Sequence, residues 1–240
     1  MKNRSNGFFG GILSAIRYFT KAELIIWISS LMFITLAFIL FGGDGYLAFF
    51  ASLLGVTSLI FLAKGNPIGQ VMIIVFSLIY AYISYSFAYY GEMLTYLGMS
   101  APMSIVSLIS WLKNPYKGKR SEVSVRGISR QECVAMFVLA VPVTILFYFI
   151  LKYLGNANLL VGTISVTTSF IAVYLMYRRS PYYALAYAAN DVVLIALWFL
   201  ATSEDSSYIS VLVCFITFLV NDIYGFVNWR SMQRKQNEGV

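Results

Sequence analysis

The sequence of 240 residues contains no histidine and few charged residues. Only 11% of the residues are charged and 60% are hydrophobic, whereas an ordinary soluble domain is about 25% charged. So few charges cannot cover the surface of a water-soluble globule of this size. The composition therefore excludes a soluble enzyme, a disordered chain and an ordinary nucleic-acid-binding protein, and it indicates an all-helical integral membrane protein.

The missing histidine also removes the commonest general base and the commonest metal ligand. The two cysteines, Cys133 and Cys214, lie in or beside apolar runs and have neither metal-binding nor disulfide spacing. The sequence has no Gly-x-x-x-x-Gly-Lys-Ser/Thr motif that would bind the phosphates of ATP. We therefore expect no metal, no cofactor and no catalytic residue.

Long apolar runs predict eight membrane spans. A span needs about 20 mostly apolar residues, and the runs fall at 24–41, 46–63, 68–90, 93–112, 131–153, 158–177, 182–201 and 207–229. Glycine, proline and charged residues separate them, and the weakest break is Gly91-Glu92. The runs are continuously apolar rather than alternating, which favours helices over a transmembrane barrel.

Basic residues are unevenly distributed between the loops. If the N-terminus is cytoplasmic, sixteen of the seventeen Lys and Arg fall in cytoplasmic segments and only Lys152 falls outside. This bias orients membrane proteins, so we expect both termini in the cytoplasm. The net charge of +7 then faces anionic lipid and requires no nucleic acid.

The two halves of the chain repeat a pattern. Lys64-Gly65-Asn66-Pro67 and Arg179-Ser180-Pro181 each precede a span, an acidic outer turn and a second span that ends in Trp111 or Trp229. The repeat predicts two parallel three-helix bundles joined by one linker helix, a 3+1+3 core of the kind found in transporters. Because both tryptophans end their spans beside basic loops, we interpret them as membrane-interface residues.

This interpretation divides the chain into five parts. They are 1–45 (N-terminal cytoplasmic segment and extra helix), 46–112 (first three-helix bundle), 113–157 (basic cytoplasmic loop and linker helix), 158–230 (second three-helix bundle) and 231–240 (cytoplasmic tail).

Polar side chains within the spans mark the candidate substrate-binding site, because an ionisable group costs about 2.5–3.5 kcal/mol to insert. The candidates are Gln70, Tyr80 and Ser84 in the third span, Thr167 and Tyr174 in the sixth, Tyr187, Asn190, Asp191 and Trp198 in the seventh, and Asn221, Tyr224 and Asn228 in the eighth. Asp222 lies nearer the cytoplasmic end, where we expect water to reach it. Amides, hydroxyls and aromatic rings suit a planar, hydrogen-bonding solute, and a carboxylate among ring faces also suits a cation.

The run from Asn221 to Arg230, Asn-Asp-Ile-Tyr-Gly-Phe-Val-Asn-Trp-Arg, resembles the last-helix signature of the Pnu family of vitamin transporters. Asn66-Pro67, the stretch 79–82 and Tyr90-Gly91-Glu92 resemble the first bundle of that family, and the resemblance covers residues 55–235. It implies the architecture of the SWEET sugar transporters. It also implies facilitated diffusion, with alternating access, of a nucleoside-like vitamin, foremost nicotinamide riboside.

The resemblance further implies a homo-oligomer such as a trimer, located in the bacterial inner membrane. It implies a cytoplasmic kinase that traps the solute by phosphorylation without binding the transporter. Thiamine, riboflavin and deoxynucleosides stay open as alternative substrates. A membrane-embedded enzyme and a scaffold or sensor without transport are the alternatives from other classes.

Overall fold

The computed structural model describes residues 18–41, 45–86, 90–156, 158–204 and 209–239. In chain order these ranges form α1 (Lys21–Phe41), α2 (Tyr46–Ala63), α3 (Ile68–Ser86), α4 (Tyr90–Thr95), α5 (Ala101–Lys113), β1 (Pro115–Tyr116), β2 (Lys119–Val123), α6 (Arg130–Tyr153), α7 (Leu159–Tyr177), α8 (Tyr182–Glu204) and α9 (Ile209–Glu238). A π-helical turn at Tyr96–Ser100 joins α4 to α5, so these two helices form one span. β1 and β2 form an antiparallel hairpin in the loop before α6.

Eight helical segments of the described ranges are long and apolar enough to cross a membrane, which confirms the predicted number of spans. A helix rises about 1.5 Å per residue, so about 20 residues cover the hydrocarbon core of a bilayer. Large apolar side chains such as Phe33 and Ile39 point outward and are 60% and 70% exposed. This distribution suits helices whose outer surface contacts lipid.

The largest differences from the predicted boundaries lie at the ends of the third and eighth spans. α3 ends at Ser86 and α4 begins at Tyr90, so Gly91 and Glu92 lie inside a helix rather than in the turn. A glutamate is favoured in the first turn of a helix because the helix dipole is positive there. α9 continues without a break to Glu238, beyond the end predicted for the last span. The outer turns expected near 42–45 and 203–206 lie mostly outside the described residues.

Helix packing follows the same scheme in both halves of the chain. In the first half α2 packs on α3 and α3 packs on α5, and in the second half α7 packs on α8 and α8 packs on α9. The third helix of each half also packs on the first helix of the other half, α5 on α7 and α9 on α2. α6 lies against α7, and α1 lies against α2 and α9.

The turns that lead into α3 and α8 have the same backbone geometry. Gly65 N donates to Leu62 O at 2.8 Å, and Arg179 N donates to Met176 O at 2.9 Å. Gly65 and Arg179 both adopt a positive φ, 65° and 59°. This conformation is easy for glycine and costs another residue roughly 1 kcal/mol. The backbone of the turn is therefore repeated even where the residue that suits it is not.

The segment that begins at the last residue of β2 forms backbone hydrogen bonds with both turns. Val123 N donates to Gly65 O and Arg126 N donates to Arg179 O, each at 3.0 Å. Gln236, near the end of α9, holds the same segment, since Val125 N donates to its Oε1 at 2.8 Å and its Nε2 donates to Val123 O at 3.1 Å. We call residues 123–126 together with Gln236 the clasp.

The clasp lies at the end of the molecule that carries the basic turns, which we call the basic face. Here Glu132 forms salt bridges with Arg126, at 3.1 Å, and with Arg178. Burial, and then repulsion from Arg126, lowers the pKa of Arg178. Tyr18, just before α1, accepts a hydrogen bond from Asn66 Nδ2 at 2.9 Å, and burial raises its pKa.

Candidate functional site

Two tryptophans close the centre of the basic face. Trp111 Nε1 donates to Met176 O at 3.1 Å and Trp229 Nε1 donates to Leu62 O at 2.8 Å, so each indole is held by the first helix of the opposite half. Both side chains are fully buried, and their ring centroids lie 5.3 Å apart. The interpretation of these tryptophans as membrane-interface residues is therefore wrong. Their equivalent positions in the repeat were the signal for a paired role.

One face of α8 leads from the tryptophans toward the middle of the span. Tyr183, Tyr187 and Asp191 follow one another at intervals of one helical turn. The ring of Tyr183 packs edge-on against Trp229 at 4.8 Å, and the rings of Tyr183 and Tyr187 pack edge-on at 6.3 Å. Sequence reasoning missed Tyr183, although its position four residues before Tyr187 places it on the same face.

The carboxyl group of Asp191 meets the carboxyl group of Asp222 from α9. The two groups lie within hydrogen-bonding reach, and the residues are only 4% and 5% exposed. Asp191 Oδ2 is buried without a hydrogen-bond partner in the part of the chain that the structure describes. The expectation that water reaches Asp222 is therefore wrong, because the close packing of α8 on α9 covers it.

Asn190 points to a different neighbour from Asp191. Its Oδ1 accepts hydrogen bonds from Ser165 Oγ at 3.1 Å and from Thr168 Oγ1 at 2.8 Å, both on α7. Consecutive residues on a helix point about 100° apart, so the Asn-Asp pair contacts α7 with one side chain and α9 with the other. Asn190 is thus held beside the acidic pair rather than within it.

The stripe predicted on α9 faces α1 and α2. Asn221 Nδ2 donates to Ser30 Oγ of α1 at 2.9 Å, and Asn228 Nδ2 donates to Ala63 O of α2 at 2.8 Å. Tyr224 forms hydrogen bonds with residues at the start of α1. The structure therefore does not bring these three side chains together with the acidic pair. They attach α9 to α1 and α2.

α3 contributes a buried polar row. Gln70, Ser77 and Ser84 are all buried, and Gln70 Nε2 contacts Met176 Sδ at 2.8 Å where the two halves cross. Gln70 Oε1 and Ser77 Oγ have no hydrogen-bond partner among the described residues. Unpartnered buried polar atoms are uncommon in proteins and call for an explanation such as a bound solute or water. Tyr80 lies farther along α3, where its hydroxyl is 3.4 Å from Ser52 Oγ.

The remaining candidates lie at the edges of the second half. Thr167 Oγ1 is 2.8 Å from Thr144 Oγ1 of α6, and the Tyr174 hydroxyl donates to a backbone carbonyl of α6 at 3.4 Å. The ring of Trp198 stacks on Phe215 at 6.4 Å. The structure thus places Thr167 and Tyr174 against α6 and Trp198 against α9. No group of three metal-ligating side chains is found in the described ranges.

In the described ranges, eight apolar helices, two halves that pack on each other in equivalent ways and buried polar side chains are features of a multi-pass membrane transporter. The model of the nicotinamide mononucleotide transporter family matches residues 45–231. The chain belongs to this family.

Relatives of the chain are named as transporters. The nicotinamide riboside transporter PnuC of Neisseria mucosa is 24% identical over 216 residues, which cover 88% of this chain and 82% of that protein. The nicotinamide riboside transporter PnuC of Haemophilus influenzae is 21% identical over 195 residues, which cover 81% and 83%. These relatives confirm the resemblance to the Pnu transporters and the prediction of a transporter rather than an enzyme.

The fold also matches a solved structure. A crystal structure of the vitamin B3 transporter PnuC superposes with a TM-score of 0.78 at 24% sequence identity, covering 91% of this chain and 94% of that one. This match confirms the predicted class of fold, an all-helical membrane protein.

Proposed function

We propose that this protein takes up nicotinamide riboside by facilitated diffusion. The observation that carries the proposal is a set of polar atoms that are buried without hydrogen-bond partners among the described residues, Gln70 Oε1 and Ser77 Oγ on α3 and Asp191 Oδ2 on α8. Nicotinamide riboside offers a carboxamide, ribose hydroxyls and a cationic aromatic ring, which suit amides, hydroxyls, carboxyls and aromatic faces. Both relatives described above are named as transporters of this compound, which supports the same substrate here.

The charge of the spans favours the nucleoside over the mononucleotide for which the family is named. No Lys or Arg occurs between Gly65 and Leu112 or between Ser180 and Trp229. A phosphate group carries about two negative charges and would enter a polar interior that contains two carboxyls. Proteins bind phosphate with Arg, Lys or helix N-termini, and these spans supply no basic side chain.

The mechanism we propose is alternating access. The first bundle, 46–112, rocks against the second, 158–230, around the central polar residues, and 113–157 connects them. The packing of the third helix of each half on the first helix of the other supports this 3+1+3 division. The crossed Trp111 and Trp229 act as the gate at the basic face, and opening there requires both indole hydrogen bonds to break.

The remaining proposals concern the cellular setting. The basic face lies in the cytoplasm with both termini, in agreement with the loop distribution of Lys and Arg. The protein resides in the bacterial inner membrane as a homo-oligomer, and a cytoplasmic kinase traps the entering nucleoside by phosphorylation.

Uptake into liposomes that contain only this protein tests the function. Radiolabelled nicotinamide riboside is supplied outside, without an ion gradient, and thiamine, riboflavin and deoxynucleosides serve as competitors. We expect saturable uptake that stops at equal concentrations on both sides. Accumulation above equality would contradict facilitated diffusion. If nicotinamide riboside is not taken up but a labelled competitor is, that competitor is the substrate instead. If none of the compounds is taken up, a scaffold or sensor without transport is favoured.

A further inference from the structure

The carboxyl groups of Asp191 and Asp222 differ from those of Glu23 and Glu132 in having no basic partner among the described residues. Glu23 forms a salt bridge with Lys64 at 2.9 Å, and Glu132 forms salt bridges with Arg126 and Arg178. In the described ranges, Asp191 and Asp222 meet each other instead and form no salt bridge. Neither α8 nor the membrane-spanning part of α9 contains a basic residue that would reach them.

Two carboxyls in contact inside a membrane need either a shared proton or a positive charge. Like charges that share a site repel each other, and a buried charge without a partner is strongly destabilising. Ionisable residues in this position are therefore kept for a function. Asp191 Oδ2, which is buried and has no hydrogen-bond partner within the described structure, is an oxygen to which such a positive group would be attracted.

The surroundings of the pair also suit a flat cationic ring. Tyr187 lies one helical turn before Asp191 on α8, and it interacts electrostatically with both carboxyls. Its ring continues through Tyr183 to Trp229 as a row of edge-on aromatic contacts. Aromatic faces attract cations through the ring quadrupole, so carboxyls and rings act on the same charge.

We infer that Asp191 and Asp222 together bind the positive charge of a cationic aromatic solute and select it over a neutral solute of the same shape. The inference rests on the proposed function and adds to it the feature of the solute that is recognised. It assigns a role to Asp222 in addition to Asp191. It also ranks the alternatives, since thiamine is cationic whereas riboflavin and deoxynucleosides are neutral.

The experiment compares nicotinamide riboside with its 1,4-dihydro form, which has nearly the same shape and no ring charge. Uptake of each is measured in proteoliposomes for the wild type, Asp222→Asn and Asp191→Asn. We expect each variant to raise the KM for the cation about ten- to hundredfold, because each removes a buried carboxyl whose attraction for the ring charge is weakly screened by water. The KM for the neutral form should change by less than about threefold, because its ring carries no charge for the carboxyls to attract.

Glu23→Gln is the matched control, because it also replaces a buried carboxylate by an amide but lies at the Lys64 salt bridge. Its ratio of KM values for the two solutes should equal that of the wild type. Size-exclusion profiles and thermal unfolding of the detergent-purified variants identify any variant that fails to fold. If only one Asp→Asn variant folds, that variant alone decides the question.

Three outcomes would overturn the inference. A wild type that takes up the neutral form as well as the cation would show no selection by charge and would leave the proposed function intact. An equal loss of uptake of the cationic and the neutral form in folded variants would show that Asp191 and Asp222 have a structural role. If the wild type takes up neither form, the proposed substrate fails, and thermal-shift binding of thiamine, riboflavin and deoxynucleosides decides the inference separately: it stands if only thiamine binds and Asp222→Asn weakens that binding, and it falls otherwise.

Discussion

Replacing Trp229 by phenylalanine removes one hydrogen bond and keeps most of the aromatic packing. Trp229 Nε1 donates to Leu62 O at 2.8 Å inside a fully buried cluster, so the substitution removes one of the two hydrogen bonds that this carbonyl accepts and leaves the one from Gly65 N. The net contribution of one such hydrogen bond is about 0.5–1.5 kcal/mol. If the bond exists only when the basic face is closed, the ratio of closed to open molecules falls by a factor of roughly 2 to 13.

The equivalent hydrogen bond of Trp111 predicts an effect of similar size for a second variant. Trp111 Nε1 makes the corresponding bond to Met176 O at 3.1 Å, so Trp111→Phe should shift the equilibrium by a similar factor. Trp27→Phe is the matched control. It also loses one indole hydrogen bond, from Nε1 to Thr57 Oγ1 at 3.1 Å, but this bond joins α1 to α2 and does not cross between the halves.

Labelling of an introduced cysteine measures the opening. Ala184 is fully buried in the same cluster as the tryptophans, and Ala184→Cys is placed in a background in which Cys133 and Cys214 are replaced by alanine. A membrane-impermeant maleimide is applied at the basic face. We expect about two- to tenfold faster labelling in Trp229→Phe and Trp111→Phe and an unchanged rate in Trp27→Phe. Unchanged labelling in the two crossing variants, or equal acceleration in the control, would refute the gate.

Three further substitutions test other contacts of the structure. Gln236→Ala breaks the clasp and leaves Val125 N unpartnered, so we expect a loss of about 1–3 kcal/mol in stability, measured as a lower thermal midpoint together with faster proteolysis of the loop before α6. Gly69→Ala should also lower the thermal midpoint, because a Cβ there would lie 2.8 Å from a backbone nitrogen of α2. Gly98→Ala is the control, since a Cβ there meets nothing within 4 Å and the midpoint should not change. Asn190→Leu loses two hydrogen bonds to α7, and we expect uptake to fall at least tenfold with normal expression; retained uptake would assign Asn190 no part in transport.

The spans could be predicted from the sequence because the bilayer imposes length and composition on each helix. Lys64 and Arg178 mark where two helices end, and the observed ends of α2 and α7 lie directly before them. Breaks made by one small and one charged residue were less reliable. Gly91-Glu92 was predicted as a turn and lies in α4, since glutamate is also a favourable residue near a helix start.

The polar residues could be found from the sequence, but their partners could not. Asn221 and Asp222 are adjacent, yet the first contacts α1 and the second contacts α8. A helical period shows which residues share a face, but not which neighbouring helix that face meets. The same limit explains the error for Trp111 and Trp229, because the end of a span is buried when another half of the molecule crosses there.

The clasp limits how far the basic face can open. Val123 and Arg126 are three residues apart and are bonded to Gly65 and Arg179, one in each half. Three residues of fully extended chain reach at most about 11 Å, and each hydrogen bond adds 3.0 Å. While both bonds hold, the carbonyl oxygens of Gly65 and Arg179 therefore stay within about 17 Å of each other. The two turns can move farther apart only after one of these hydrogen bonds breaks. The range of the proposed rocking motion is therefore limited by the length of a backbone segment outside the predicted spans. Inserting two glycines into this segment would extend that range without altering any residue proposed to contact the solute.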